Sequence, residues 1–328
     1  MVNIKDVALH ANVSVATVSR FLNEKGYVSE QTKKKIEATI ETLQYKPNQI
    51  ARSLSTKQSN ILGLIVPDIQ NPYFPELARA IEDTALMYNY TVVLCNSDHQ
   101  IEKEQMYLQR LASKYVAGIL VASNHPNSAF FKNSDIPIVA LDRTIQSNIP
   151  SVSTDNIKGA YEGTKYLIQQ GATEILFLRG PVGIPTADER YQGFLQAAKA
   201  YNVAIHVIEV GFQFREAEKQ LHAFMETHPF VNAIFASNDA SAIAAMKVMH
   251  SSNKRIPEDI QIMGFDGIEL GVMVYPELTT VSQDIYAIGK HATEMLIAQI
   301  EGHELIEKTI KVPTTLLIRG TTKEGMTR

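Results

Sequence analysis

The sequence predicts an α plus α/β protein, in which a small helical headpiece precedes two doubly wound parallel α/β subdomains. The first 60 residues carry apolar side chains at helical spacing and no strand pattern. From Asn60 onward, short apolar strands alternate with helical stretches, which is typical of parallel sheets covered by helices. These strands are too many for one compact sheet, and the pattern occurs twice, so two similar subdomains are expected.

Composition limits the class of protein. A chain of 328 residues with 45% apolar and 20% charged residues is an ordinary globular protein of two or three domains. The single cysteine, Cys95, excludes an internal disulfide, and the nine histidines show no ligand spacing, so we expect no metal, no cofactor and no catalysis. Without a signal peptide or a membrane-spanning apolar run, the chain is expected to be cytoplasmic.

Charge is distributed unevenly along the chain. The first 60 residues hold nine Lys/Arg and five Asp/Glu, whereas the remainder holds 22 and 30. A basic head on an acidic body favours a negatively charged partner at the head end, with nucleic acid as the first candidate. On charge alone, a solvated basic surface is the alternative.

The headpiece pattern predicts three helices. The first has an apolar face of Ile4, Val7, Ala8 and Ala11, and Asn12 suits the tight turn that follows. Ser14 is placed to cap a second helix, whose apolar face is predicted to be Val15, Val18 and Leu22. Ser29 is placed to cap a third, with Ile36, Ile40 and Leu43 facing inward and an end before Tyr45-Lys46-Pro47.

Two short helices joined by a tight turn are the helix-turn-helix arrangement, whose second helix enters the major groove. Arg20 is able to make two hydrogen bonds to a guanine edge, and Ala16 is small enough to meet a thymine methyl group. Thr17, Ser19 and Asn23 are interpreted as phosphate contacts. Ser14 and Val15 complete the predicted contact set of this helix. By periodicity alone, a plain helical hairpin with a polar outer face is favoured over a DNA-binding helix.

Particular motifs of the segment carry a resemblance to a known family. They are Ile4-Lys5-Asp6-Val7-Ala8, Asn12-Val13-Ser14, Thr17-Val18-Ser19-Arg20, Leu22-Asn23, Tyr45-Lys46-Pro47-Asn48 and Ile50-Ala51-Arg52-Ser53-Leu54. Through them the segment resembles the DNA-binding headpiece of the lactose/galactose-repressor family of bacterial transcription regulators. The resemblance implies a pseudo-palindromic operator as the partner of a homodimer.

The resemblance also gives a role to Asn48–Ser55. Eight residues are too few for an independent helix in water. In the family this is the hinge helix, which folds when it pairs with its dimer mate in the minor groove. A leucine there enters the central base step, and Leu54 matches it, with Ala51 as a neighbouring contact. The alternative for Leu54 is an ordinary linker residue.

The body pattern predicts strands and helices in alternation. The strands are Ile61–Val66, Thr91–Cys95, Gly118–Val121, Ile138–Leu141, Ile175–Leu178, Val207–Val210, Ala233–Phe235 and Ile260–Phe265. The helices are Glu76–Tyr88, Glu102–Ala112, Tyr161–Gln169, Ala217–Glu226 and Ile288–Ile300. Two late strands, Thr309–Val312 and Leu316–Arg319, are expected to return to the first subdomain, which would then be discontinuous.

Polar residues follow the strands, where ligands of such sheets bind. Asn71 follows the first strand, Asp142 and Arg143 the fourth, and Arg190, Asn238, Asp266 and Gln283 follow strands of the second half. Carboxylate, guanidinium and amide groups suit the vicinal hydroxyls of a sugar, whose apolar face would lie against Tyr73, Phe74 and Phe214. Taken singly, Asp142 or Asp239 also suits a turn or helix cap, Arg190 a surface ion pair, and the aromatic residues the core.

The body motifs sharpen this prediction. They are Asn71-Pro72-Tyr73-Phe74, Leu141-Asp142-Arg143, Arg190-Tyr191-Gln192-Gly193-Phe194, Ser237-Asn238-Asp239, Gly264-Phe265-Asp266 and Gln283. They resemble the periplasmic sugar-binding fold, in the ribose-responsive branch of Gram-positive regulators. The resemblance implies that Asn71, Asp142, Arg143, Arg190, Asn238, Asp266 and Gln283 bind hydroxyls and that Tyr73, Phe74 and Phe214 stack. Tyr73 departs from a more usual phenylalanine, which bears on the preferred sugar.

The expected protein is therefore a dimeric repressor of a sugar-utilisation operon, controlled by a small sugar such as D-ribose. The expected division is residues 1–47 for the headpiece, 48–59 for the hinge and 60–328 for effector binding and dimerisation. Within the body we expect one subdomain of about residues 60–159 plus 289–322 and another of about 160–288. The alternatives are a global carbon regulator controlled by a phosphorylated carrier protein and a cytoplasmic sugar-binding protein.

Overall fold

A computed structural model describes residues 2–22, 26–45, 59–113, 116–123, 130–131, 134–145, 148–211 and 214–323. The chain divides into two compact units, Met1–Ser59 and Asn60–Arg328, which we call the headpiece and the body. Asn23, the hinge segment with Ala51 and Leu54, and the side chain of Phe214 lie outside what is described.

The described residues of the headpiece form three helices, as predicted: α1 (Ile4–Ala11), α2 (Val15–Leu22) and α3 (Glu30–Leu43). Asn3 and Asp6 form a capping box at the start of α1, and the left-handed Asn12 (φ 54°) ends that helix. Oγ of Ser14 accepts a hydrogen bond from the Thr17 amide at 3.1 Å, and Oγ of Ser29 accepts from the Thr32 amide at 3.3 Å. The predicted caps of α2 and α3 are therefore confirmed.

The burial of side chains in the headpiece differs from the predicted apolar face of α2 at one residue. Val18 is fully buried, and Phe21 and Leu22 pack against the same cluster. Val15 is 41% exposed, so its assignment to the apolar face of α2 was wrong. Val15 is the first residue of the helix, and a count of apolar residues at fixed spacing does not show where the buried face of a helix begins.

The body is built from twelve strands and eight helices within the described residues. The strands are β1 (Ile61–Val66), β2 (Thr91–Asn96), β3 (Gly118–Val121), β4 (Ile138–Leu141), β5 (Ser151–Thr154), β6 (Glu174–Arg179), β7 (Ala204–Glu209), β8 (Ala233–Ala236), β9 (Gln261–Asp266), β10 (Thr279–Gln283), β11 (Thr309–Val312) and β12 (Thr314–Leu317). The helices are α4 (Tyr73–Met87), α5 (Ile101–Ser113), α6 (Asn156–Gln169), α7 (Pro185–Tyr201), α8 (Phe214–Thr227), α9 (Asp239–Ser251), α10 (Leu270–Met273) and α11 (Ile285–Ile300).

The strands form two six-stranded sheets, which confirms the two predicted subdomains. The first sheet has the order β11-β5-β4-β3-β1-β2 and is parallel throughout. The second has the order β12-β10-β9-β8-β6-β7 and is parallel except for β12. Each sheet has a hydrophobic core on both faces, as buried parallel sheets require.

The final strand corrects another prediction. Strand β11 pairs with β5 in the first sheet, as expected. Strand β12 pairs antiparallel with β10 in the second sheet, with Thr280 opposite Leu317, so its assignment to the first subdomain was wrong. Pro313 stands between the two strands and has no amide hydrogen to continue the β11 ladder. The chain changes sheets there and extends the second sheet at β10.

Several helices begin earlier than their apolar pattern indicates. Helix α4 begins at Tyr73, directly after Pro72, and Oδ1 of Asn71 accepts the Tyr73 amide at 3.1 Å in the preceding turn. Oδ1 of Asp155 accepts the Lys158 amide at 3.2 Å and starts α6 at Asn156. The earlier start of α4 places Tyr73 and Phe74 in its first turn.

The described ranges contain neither a membrane-spanning helix nor a metal-binding cluster. No helix there is both long and apolar enough to cross a bilayer. Nor does that part of the chain bring together three or more His, Cys, Asp or Glu side chains in a group able to hold a metal ion.

Candidate functional site: a polar cavity in the body and an exposed helix in the headpiece

The body contains a polar cavity with a volume of about 30 Å³. It is lined by side chains that follow the carboxyl ends of strands in both sheets. The first sheet contributes Pro67, Asp68, Asn71, Tyr73, Phe74, His99, Asp142 and Arg143. The second sheet and the helices that follow its strands contribute Thr186, Arg190, Asn238, Asp266 and Gln283.

A buried ion pair organises the side of the cavity that belongs to the second sheet. Nη1 of Arg190 donates to Oδ1 of Asp266 at 3.0 Å and to the Ser237 carbonyl at 2.6 Å. Nε2 of Gln283 donates to the same Asp266 oxygen at 2.7 Å. The Arg190 guanidinium also lies 3.9 Å from the ring centroid of Phe265. These bonds hold the arginine and the carboxylate in one geometry, which charge-assisted recognition requires.

A second ion pair lies on the opposite side, in the segment that follows β4. Nη2 of Arg143 donates to Oδ2 of Asp142 at 2.9 Å, and the Tyr73 hydroxyl donates to Oδ1 at 3.3 Å. Burial, and then the charge of Asp142, raise the pKa of Tyr73 well above its usual value. The hydroxyl therefore stays protonated and remains a donor to Asp142.

Two buried amide groups offer unused hydrogen-bonding capacity. Oδ1 of Asn238 caps α9 by accepting the Ser241 amide at 2.8 Å. Within the described residues, Nδ2 of Asn238 and Oε1 of Gln283 are buried and have no hydrogen-bond partner. An open donor and an open acceptor together match a hydroxyl group, which both donates and accepts.

Both cavity aspartates have unusual backbone conformations. Asp142 has φ 65° and Asp266 has φ 123°, and Gly267 follows with φ 80°. A residue with a side chain rarely adopts positive φ, and the strain, of order 1–3 kcal/mol, persists where surrounding contacts impose it. Such positions concentrate at ligand sites.

Burial shifts the titration of the central carboxylate. It raises the pKa of Asp266 above the ordinary value, against the lowering effect of Arg190, and the charge of Asp142 adds to the rise. Perturbed carboxylates in a cavity are a physical marker of a functional site.

Nine of the ten residues predicted to bind the effector line this one cavity. For the tenth, Phe214, the structure places only the backbone, at the start of α8. Arg190 lies in the second turn of α7, which begins at Pro185. Four lining residues were missed: Pro67 and Asp68 after β1, His99 after β2, and Thr186 in the first turn of α7. The strand-end rule that found Asp142 also applied to these positions.

One supporting residue outside the cavity lining was also missed. Oδ1 of Asn156 accepts a hydrogen bond from Nε of Arg190 at 2.8 Å, and Nδ2 of Asn156 donates to Glu189 at 2.9 Å. Asn156 opens α6, far from Arg190 in sequence, so no local pattern indicated the contact.

The headpiece offers a separate candidate surface along α2. Ser14, Ala16 and Arg20 are exposed, Val15 is 41% exposed, and Thr17 and Ser19 are half-buried. The Ser14 hydroxyl also lies 2.8 Å from that of Thr17. The N-terminal residues of a second helix in this arrangement are those that meet base edges.

The matches to known families cover both units. The family described as "Bacterial regulatory proteins, lacI family" matches residues 3–48. The family described as "Periplasmic binding proteins and sugar binding domain of LacI family" matches residues 59–320, most of the chain. The chain belongs to the LacI family of bacterial transcription regulators, a family of DNA-binding proteins rather than enzymes.

A curated relative and three solved structures are similar to the chain. The ribose operon repressor of Halalkalibacterium halodurans is 49% identical over 325 residues, covering 99% of this chain and 98% of the relative. The lac repressor dimer bound to operator and the anti-inducer ONPF has a TM-score of 0.90 at 25% identity, covering 98% of both chains.

Two of the similar structures contain sugars. A LacI-type regulator of Alkaliphilus metalliredigens, complexed with D-xylulofuranose, has a TM-score of 0.76 at 35% identity, covering 81% of this chain and 100% of the other. A LacI family regulator of Enterococcus faecium with bound ribose has a TM-score of 0.73 at 28% identity, covering 80% and 98%.

Proposed function

We propose that the protein is a repressor of a ribose-utilisation operon, whose cavity binds D-ribose and whose operator affinity changes when it does. The observation that carries the proposal is the pair of buried Asp–Arg ion pairs facing one another across a cavity that also holds unused amide groups. Each cavity arginine has an aspartate within 3.0 Å: Arg143 with Asp142, and Arg190 with Asp266.

This charge balance favours a neutral ligand. A phosphorylated or carboxylated effector needs uncompensated positive charge, and both cavity arginines are already paired within hydrogen-bond distance. A neutral polyol keeps both pairs intact and adds hydrogen bonds to them. Asn71, Asn238 and Gln283 supply amide partners, and the Tyr73 and Phe74 rings, which meet edge to face at 5.2 Å, supply an apolar wall.

A pentose is the favoured size of ligand. The similar sugar-bound regulators contain ribose and D-xylulofuranose, which are both five-carbon sugars. The 49% identical relative is a ribose operon repressor. The Tyr73 hydroxyl occupies part of the hydrogen-bonding capacity of Asp142, so we expect it to affect which pentose binds best.

On the DNA side, we assign base-edge contacts to Arg20, Ala16 and Val15, and phosphate contacts to Ser14, Thr17, Ser19 and Asn23. We assign residues 48–59 to a hinge in which Leu54, with Ala51 beside it, wedges into the operator minor groove. The protein acts in the cytoplasm, where its operator lies.

We assign the dimer contact of the body to an exposed apolar surface on the first subdomain. Strand β2 is the edge strand of the first sheet, and Val93 and Leu94 on it are 40% and 46% exposed. Leu86 and Met87 at the end of α4 are 65% and 75% exposed. Exposed apolar side chains at a sheet edge and at a helix end favour burial against a second copy of the chain.

The mechanism is a two-state linkage. Sugar stabilises the closed form of the two subdomains, and this change alters the pairing of the two hinge segments in the dimer. The coupling is reciprocal, so operator DNA changes sugar affinity by the same factor.

Titration calorimetry against a panel of pentoses and hexoses, combined with operator binding, tests the proposal. We expect ribose to bind in the panel and to change operator affinity in purified protein with nothing else added. Control by a phosphorylated carrier protein predicts no response until that protein is supplied. A sugar-binding protein without regulatory function predicts ribose binding and no operator binding.

A further inference from the structure

Asp239 is a buried carboxylate that lies behind the cavity and is not part of its lining. It is fully buried at the start of α9, directly after Asn238. Oδ2 accepts the backbone amides of Gly267 at 2.8 Å and Ile268 at 2.9 Å. Oδ1 accepts the Thr280 hydroxyl at 2.6 Å. One side chain thus joins α9, β10 and the turn that follows β9.

The turn held by Asp239 begins at a strained residue. Asp266 has φ 123°, and the two amides that Asp239 accepts belong to the next two residues. Strain of this kind persists only where neighbouring contacts impose it. The two hydrogen bonds to Asp239 are contacts of that kind, and they fix the direction in which the Asp266 carboxylate enters the cavity.

Two glycines allow the backbone near Asp239 to pack closely around its carboxylate. A side-chain carbon on Gly264 would lie 2.1 Å from Oδ1 of Asp239, so strand β9 approaches the carboxylate as closely as only glycine allows. A side-chain carbon on Gly267 would lie 2.2 Å from the Ser282 hydroxyl. Both glycines leave room for the turn to close over the carboxylate.

The same turn reaches the elements of the first sheet. Ile268 is 1% exposed and packs in the core that contains Tyr73, Phe74 and Leu77. The amide of Glu269 donates to Oε1 of Glu76, in α4, at 2.9 Å. The turn therefore connects a cavity carboxylate with the helix that supplies the aromatic wall.

We propose that Asp239 is a positioning residue for sugar recognition, which acts through the Gly267 and Ile268 amides to present Asp266 to the ligand. The inference rests on the proposed function, because it assumes that Asp266 binds the sugar. It assigns to Asp239 a role in effector affinity without contact between Asp239 and the effector.

The protonation state of Asp239 tells which substitution preserves the contact. Burial, and then the charge of Asp266, raise the pKa of Asp239 above its ordinary value, which favours the neutral acid. Asparagine resembles that form, since its oxygen accepts the two amides and its NH₂ group, like the O–H of the neutral acid, donates to the Thr280 hydroxyl oxygen instead of accepting from it. Alanine removes both interactions and leaves two buried amides without partners.

A double-mutant cycle measured by ribose calorimetry tests the proposal. Asp266→Asn and Asp239→Ala are each expected to weaken ribose binding by about tenfold or more. If Asp239 acts through Asp266, adding Asp239→Ala to Asp266→Asn costs less than about threefold further. Asp239→Asn is expected to stay within about threefold of the unsubstituted protein.

The outcomes separate the inference from the proposed function. Unchanged ribose binding in Asp266→Asn overturns the proposed site. Weakened binding in Asp266→Asn, with losses that multiply in the double variant, overturns the role of Asp239, because a general structural effect is additive. Unchanged binding in Asp239→Ala overturns it too. If Asp239→Ala does not fold, Asp239→Ser replaces it in the same cycle, because the shorter side chain withdraws the acceptor from the Gly267 and Ile268 amides.

Discussion

Nη1 of Arg190 lies 3.0 Å from Oδ1 of Asp266, and both side chains are only 6% exposed. The arginine comes from α7 and the aspartate from the end of β9, so the pair joins two elements of the second subdomain inside the cavity. Buried ion pairs contribute little net stability, because desolvation opposes the attraction. A pair that also lines a cavity is better explained by recognition of a ligand.

The first prediction concerns this pair. Arg190→Ala and Asp266→Ala should each abolish the ribose response while operator binding in the absence of sugar is retained. Each change leaves cavity groups and sugar hydroxyls poorly paired, at a cost of about 1–3 kcal/mol or more of binding energy. Calorimetry and operator titration measure the two effects.

A matched control is a second ion pair made by the same helix, with Arg179 at the end of β6. Asp188 in α7 pairs with Arg179 at 2.6 Å, and this pair is partly exposed and lies outside the cavity lining. Arg179→Ala should therefore leave the ribose response intact. Equal losses in Arg179→Ala and Arg190→Ala would indicate that the effect comes from helix α7 as a whole.

The second prediction uses the raised pKa of Asp239. In the unfolded chain this carboxyl ionises near pH 4, whereas in the folded chain it holds its proton to higher pH. The contribution of Asp239 to the free energy of unfolding is therefore largest below pH 4. It falls by up to about 1.4 kcal/mol per pH unit as the pH rises from there toward the folded-state pKa. Asp239→Asn lacks this titration.

Denaturant unfolding between about pH 4 and pH 7 measures the effect. The free energy of unfolding should fall with pH more steeply in the unsubstituted protein than in Asp239→Asn. Because every other titrating group is shared, the difference between the two proteins reports the titration of Asp239 together with its coupling to Asp266. Parallel pH curves would mean that Asp239 is ionised in the folded state.

The strand-end rule predicted most of the cavity, because the carboxyl ends of parallel strands meet at one edge of a sheet. It identified Asp142, Asn238 and Asp266 from a pattern that is local in sequence. Asp239 looked like a cap or turn residue, and its partners Gly267 and Thr280 lie 28 and 41 residues away. Contacts of that separation depend on the order of β8, β9 and β10, which a local pattern does not contain.

The existence of strands was likewise easier to predict than their partners. The pattern of Thr309–Val312 gave the bounds of β11 correctly, yet the strand after it was placed in the wrong sheet. Apolar alternation reports that a segment is extended and half-buried, and it is the same whichever sheet the strand joins. The choice for β12 depends on the open edge of β10, a tertiary feature.

The third prediction concerns the contact between Glu76 and the Glu269 amide. Glu76→Ala removes an acceptor that joins α4 to the turn after β9. It should weaken ribose binding about 2- to 10-fold, because the closed, sugar-bound form then lacks one hydrogen bond. Glu76→Gln keeps an acceptor oxygen and should bind nearly as the unsubstituted protein does. Calorimetry measures both.

Glu82 provides the matched control, because it is an exposed glutamate on the same helix. Glu82→Ala has the same change in charge and in helix propensity as Glu76→Ala, and should leave ribose affinity unchanged. Similar behaviour of the two alanine variants would show that the contact with Glu269 has no part in closure.

The last prediction concerns Arg20, which is exposed in the last turn of α2. Arg20→Ala should weaken operator binding by about 1–3 kcal/mol, because a guanidinium pairs with a guanine edge through two hydrogen bonds. The loss should be selective for the base pair that Arg20 contacts. Substituting that base pair in each half-site should weaken operator binding of the unsubstituted protein by this energy. The same substitution should hardly affect operator binding of Arg20→Ala. Titration of a single-substitution operator series, at fixed salt, measures it.

Lys34→Ala, on α3, is the control for lost charge alone and should weaken all sequences alike, with a smaller salt slope. Uniform loss across scrambled DNA in Arg20→Ala would make Arg20 a phosphate contact and leave base recognition to the residues at the start of α2.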